Sequence, residues 1–164
     1  MDLFFLTIDA SMFLHVKALS RIVLLILMPF EGCTDKGIDE KLRVNEVIYN
    51  LIKADNRSDL QAVLKSYTDS IEFYPVGKEG TKGIDVIKMN YEKLFAEHNL
   101  SLTTEIIDTK IFGDKAIVTG LNKGIKTSKS DSSMTPIHDK YLAILEKSKS
   151  NEWKINMLLW GFHH

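Results

Sequence analysis

The feature that most constrains this chain is a change in hydrophobic period near residue 100. Before it, apolar residues recur at helical spacing. Val44, Val47, Ile48, Leu51 and Ile52 fall at i, i+3, i+4, i+7 and i+8, which makes one face of a helix starting at about Lys41. Asp55-Asn56-Arg57 interrupts that stripe. Ser58-Asp59-Leu60-Gln61 then has the form of a capping box, with Leu60, Val63, Leu64 and Tyr67 as a second short stripe. Ser70–Tyr74 is extended, and Lys78–Gly83 is a loop. Ile84, Ile87, Tyr91 and Leu94 share the face of a third helix, with Asp85 in its first turn and His98 near its C-terminus, where a cation suits the dipole. Beyond residue 100 the chain reads as four strands: Leu100–Phe112, Ala116–Thr127, Ile137–Glu146 and Trp153–Trp160. This order predicts an α+β domain, three N-terminal helices packed on one curved, mainly antiparallel sheet.

Composition removes several function classes. The chain has 164 residues with 21 Lys+Arg and 22 Asp+Glu, a net charge of −1 that offers no field for nucleic acid. One cysteine forbids an internal disulfide and a Cys-based zinc site. There is no Gly-rich phosphate loop, no serine-nucleophile elbow and no metal motif, so neither cofactor nor metal is expected. The terminal pair His163-His164 does not match metal-ligand spacing and is expected to be a tail.

The N-terminal third has its own grammar. Lys17 and Arg21 precede the uncharged apolar run Ile22–Phe30; Gly32 and Cys33 follow it, and the chain then turns polar. A basic region, a short apolar core and a small residue before a cleavage point make a secretory signal. The Cys directly after the small residue resembles the lipobox of bacterial lipoproteins, although Glu31 and Phe30 depart from the usual residues. That resemblance implies a removable signal over 1–32, acylation of Cys33, a tether over 33–40, a domain over 41–164, and membrane anchoring in the cell envelope. Residues 1–11 carry Asp2 and Asp9 but no basic residue, and a start at Met12 gives the more orthodox signal.

The order of elements, with Phe73-Tyr74-Pro75-Val76-Gly77, Lys82-Gly83-Ile84-Asp85 and the hairpin Lys140–Leu145 with Glu152–Ile155, resembles a known fold. It is the cone-shaped fold shared by nuclear transport factor 2, ketosteroid isomerase and the SnoaL-like cyclases, over about residues 41–161. The resemblance implies a pocket between the helices and the concave sheet. It also implies places for a carboxylate base, a first-helix Tyr and a second Asp. Here Tyr74 stands at the base position, Leu51 at the first-helix position (Tyr49 lies two residues away), and His138 follows Pro136-Ile137 with Asp139 next. A Tyr is a poor base at neutral pH, so steroid isomerase chemistry is not expected.

The expected site is therefore Tyr74 with His138, and Lys140 on the same strand face by period two. Leu51, Tyr67, Tyr91, Phe95 and Trp160 are the expected pocket lining, with Trp153 and Met89 as further apolar packing. The expected partner is a small, mostly apolar molecule. The alternatives are a cofactor-free isomerase, cyclase or hydrolase using His138 and Tyr74, and an interaction module that forms a homodimer through its open sheet face.

Overall fold

The computed structural model describes residues 35–162. The signal segment, Cys33 and His163-His164 lie outside the described residues. The elements are α1 (Asp35–Arg57), α2 (Leu60–Lys65), β1 (Tyr67–Pro75), β2 (Thr81–Lys82), α3 (Ile84–Glu97), β3 (His98–Phe112), β4 (Lys115–Ser128), β5 (Met134–Lys147) and β6 (Trp153–Phe162). The order is the expected one except for β2, a two-residue strand that pairs with β1 inside the Lys78–Gly83 segment expected to be a loop. None of the described helices is long and apolar enough to cross a membrane.

Six strands form one sheet in the order β2-β1-β6-β5-β4-β3. All neighbours are antiparallel except β1 and β6, which run parallel because the chain returns to β1 only after the β3–β5 meander. The sheet curves round the helices but does not close. Its curvature has local causes. On β3 the register shifts between Ile106 and Asp108, so one extra residue bends the strand and reverses its parity. As a result Thr109 turns inward and donates from Oγ1 to Asn45 Oδ1 of α1 at 2.6 Å. β6 shifts register against β5 at Asn156, which sets Trp153 and Ile155 before it, and Leu158 and Trp160 after it, toward the core cluster.

Several boundaries differ from those expected: Tyr67, placed on the second helical stripe, instead opens strand β1, because α2 ends at Lys65. α1 begins at Asp35, earlier than the periodicity alone predicts, and it runs through Asp55-Asn56-Arg57 instead of stopping there. The cap of α2 is Asp59, whose carboxylate accepts from Ala62 N at 3.0 Å; Ser58, the expected cap, takes a positive φ of 51° and makes the turn. A carboxylate is as good an N-cap as a hydroxyl, so the helix starts one residue later.

The core lies between α1 and the inner sheet face. Val44, Ile48 and Leu51 pack with Val63, Tyr67, Ile71, Val118, Leu145 and Ile155. Each such side chain contributes roughly 1.5–3 kcal/mol by leaving water. α1 is clamped to the sheet at both ends. Near its start Glu40 accepts from Lys147 Nζ (2.8 Å) and Trp153 Nε1 (2.7 Å), which holds its carboxyl below the usual range. Near its end the Asn56 amide bonds both backbone groups of Leu102 on the edge strand β3, at 2.7 and 2.8 Å.

Candidate active site

Asp55 decides the site. It continues the α1 stripe Ile48–Leu51–Ile52 by i+3 and i+4, so the helix carries its carboxyl into the core, where the residue is 7% exposed. Desolvation is the largest effect on it and pushes its pKa up to about 7; the Tyr91 hydroxyl, hydrogen-bonded to it, pulls the other way. The C-terminal turn of a helix is also the unfavourable end for a negative charge. One carboxyl oxygen, Oδ1, is buried with no hydrogen-bond partner.

Tyr91 comes from α3 and Tyr67 from the start of β1. Their hydroxyls lie 3.1 Å apart. Burial raises the pKa of both phenols, and the nearby Asp55 charge adds to this. Both are therefore neutral at any ordinary pH. Tyr91 has one hydroxyl proton; when it donates to Asp55, its oxygen accepts from Tyr67. The three groups form a chain, Tyr67 to Tyr91 to Asp55. Phe95 packs on Tyr91 with ring centroids 5.4 Å apart and fixes the ring's place.

A cavity of about 510 Å³ opens in front of this chain, between α3 and the inner face of the sheet. Leu51, Tyr67, Phe73, Tyr91, Leu94 and Trp160 give it mostly apolar walls, and Thr81, Asn122 and Lys126 give it polar points. Thr81 Oγ1 and Asn122 Oδ1 are buried without partners. A larger groove of about 700 Å³ runs outside, along α1 and α2, lined by charged side chains such as Arg43, Lys53 and Arg57. None of the four orphaned buried side-chain atoms of the described residues lies in it, so the smaller cavity is the better site.

Of the residues expected as lining, Leu51, Tyr67, Tyr91 and Trp160 border the cavity. Phe95 is core behind Tyr91, and buried Trp153 belongs to the Glu40 clamp. The expected reacting pair is not brought together. Tyr74 is 42% exposed and donates to Glu72 at 2.9 Å, because its neighbour Phe73 takes the inward position on β1. His138 is exposed, and it shares the outward face of β5 with Lys140, whereas Asp139 and Tyr141 are buried. Met89 is exposed on α3, and His98 Nδ1 is buried without a partner. Among the described residues no three His, Cys, Asp or Glu side chains are grouped as a metal site.

The interruption seen at Asp55-Asn56-Arg57 was itself the missed signal. Asp55 falls on the apolar stripe, and a carboxylate there is either exposed by helix termination or buried. Only the continuation of α1 to Arg57 chooses between them.

Comparison with known proteins agrees with this architecture. No protein-family model matches the chain, and no curated protein matches it. Solved structures do. A ketosteroid isomerase-like protein from Erwinia carotovora is 24% identical with a TM-score of 0.69, covering 74% of this chain and 94% of that one. A Novosphingobium aromaticivorans protein provisionally named scytalone dehydratase is 14% identical with a TM-score of 0.72, covering 80% and 93%. A nuclear transport factor 2-like protein of unknown function from Shewanella oneidensis is 20% identical with a TM-score of 0.59, covering 72% and 95%. Helices on an open six-stranded sheet, with these likenesses, give the chain the α+β cone fold of the nuclear transport factor 2-like superfamily.

Proposed function

We propose that the domain binds a small, mostly apolar molecule in the cone cavity and moves a proton on it through Tyr91 and Asp55. The observation that carries this is the buried Asp55–Tyr91 contact behind a cavity that Tyr91 lines. The fold hosts many functions, so the support must come from these side chains. As Tyr91 oxygen takes a proton from a substrate C–H or O–H, the Tyr91 proton passes to Asp55, which becomes the neutral acid. The reverse transfer returns a proton to the substrate at the same or a neighbouring atom. No oxidant or co-reactant is needed. Burial disfavours a free tyrosinate, so the two transfers are concerted. A carboxyl with a pKa of about 7 offers both protonation states near neutral pH. The names of the Erwinia and Novosphingobium proteins, an isomerase-like protein and a dehydratase, are in keeping with proton transfer. His138 and Tyr74 are replaced in that role by Asp55 and Tyr91.

The test joins binding to turnover. Native mass spectrometry of the purified full chain should show a co-purifying small molecule. That molecule, returned to the protein in D₂O, should exchange hydrogen for deuterium. Asp55→Asn should keep the ligand and lose the exchange. Undiminished exchange in that variant would remove Asp55 from the chemistry.

The cell-envelope location is a second part of the proposal, supported by the sequence from Lys17 to Cys33. Globomycin treatment should shift the mobility of the protein on a gel; an unacylated Cys33 in an uncleaved chain would overturn it. A homodimer is the third part. The outward sheet face carries half-buried Ile117, Leu121, Leu142 and Ile144, an apolar strip suited to a second copy. Sedimentation should give a dimer, and a strict monomer at high concentration would exclude it.

A further inference from the structure

We infer that the molecule taken up by the cone cavity is an organic anion, with its acidic group held by Lys126 and an apolar, ring-sized body lying against Trp160 and Phe73. This stands on the cavity-binding function above and adds its ligand class. The inner face of β4 is the even-numbered one: Ala116 and Val118 are core, and Asn122 and Lys126 line the cavity. Lys126 is half-buried, and among the described residues no ion pair or hydrogen bond engages its ammonium. Several other lysines of the sheet are paired. Lys123, on the outward face of the same strand, pairs with Glu105, and Lys82, Lys115 and Lys147 each have a carboxylate within 3 Å. Lys126 differs from these paired lysines in lining the cavity.

The charges around it do not cancel this. The cavity lining holds two cations, Lys78 and Lys126, against one carboxylate, Glu79. Asp139 on β5 is in register with Asn122 and has an interaction of its own, whereas Lys126 is in register with Thr135. Asp55 lies behind Tyr91, and the cavity's two phenols, Tyr67 and Tyr91, are neutral. A half-buried ammonium lining an apolar cavity is best matched by an anion, since charge-assisted hydrogen bonds are the stronger class. The orphaned Thr81 Oγ1 and Asn122 Oδ1 add places for a hydroxyl on the same ligand.

Three probes of one shape test it by titration calorimetry on the full chain: 2-naphthoate, 2-naphthol and 2-naphthylmethylamine. Naphthoate should bind about tenfold tighter than naphthol, the amine should bind weakest, and the preference should shrink with added salt. Lys126→Met should erase the preference by weakening naphthoate alone, and Lys126→Arg should retain it. Equal binding of naphthoate and naphthol, or a Lys126→Met variant weakened equally for both, would overturn the assignment while leaving the cavity as a binding site. If none of the three binds, the cavity-binding function falls, and the anion assignment falls with it.

Discussion

The Tyr67 hydroxyl lies 3.1 Å from the Tyr91 hydroxyl, and Tyr91 is hydrogen-bonded in turn to the buried carboxyl of Asp55. These side chains come from β1, α3 and α1, three elements that meet only because the helices close over the concave sheet. The chain of three hydroxyl and carboxyl groups places an ionisable proton among buried, mostly apolar side chains.

That proton makes stability depend on pH. The pKa of Asp55 rises from an ordinary 3.8 to about 7 on folding. Between these values the folded protein holds a proton that the unfolded chain has lost, so the contribution of Asp55 to stability is fullest below about pH 4 and is lost as pH rises through about 7. Asp55→Asn removes the titration. Its melting temperature relative to the parent should rise between pH 5 and pH 8, by an amount worth a few kcal/mol at most. Parallel melting curves for parent and variant across that range would contradict the buried ionisation.

Tyr91→Phe removes the donor that holds the Asp55 pKa down. The carboxyl should then titrate above about 7, which carboxyl-carbon NMR can follow. Tyr67→Phe should move it less, because the Tyr67 hydroxyl reaches Asp55 only through Tyr91. Equal shifts in the two variants would break the proposed order of the chain.

Asn56 acts as a substitute strand at the open edge of β3. Its amide takes the Leu102 N–H and C=O that no neighbouring strand pairs. Asn56→Ala should speed hydrogen exchange at the Leu102 amide well beyond that of its neighbours, and cost about 1 kcal/mol of stability. Unchanged protection at Leu102 would refute the contact.

Gly120 leaves room for the Tyr141 ring on the inner sheet face. A Cβ there would meet the Tyr141 hydroxyl oxygen at 2.3 Å and the Glu105 carbonyl oxygen at 2.5 Å. Gly120→Ala should therefore cost about 1–3 kcal/mol. It should also displace Tyr141 from Thr104, its hydrogen-bond partner at 3.2 Å. A thermal melt matching the parent would show that the strands can yield.

The local pattern of residues was enough for the architecture. Helical spacing from Val44 to Ile52, the Gly83-led third helix and the alternating apolar residues of the last four strands each encode a period, and periods are properties of neighbouring residues. Four of the lining residues, Leu51, Tyr67, Tyr91 and Trp160, were legible for the same reason: each lies on an apolar face that had to meet the sheet. The buried carboxyl behind the cavity was not legible. Tyr74 and His138 sit one position from an inward residue, and strand parity alone, set by Phe73 and Asp139, turns them outward. The inward parity of β3 depends on a bulge at Ile107 that no local pattern announces. Asp55 reads in sequence as the end of a helix; in the fold its carboxyl is buried and desolvated by the core. Sequence alone determined which faces are apolar and in what order the elements come. The tertiary structure decided which polar atoms those faces enclose, because burial, and with it the pKa of a carboxyl, depends on what packs around the group from distant parts of the chain.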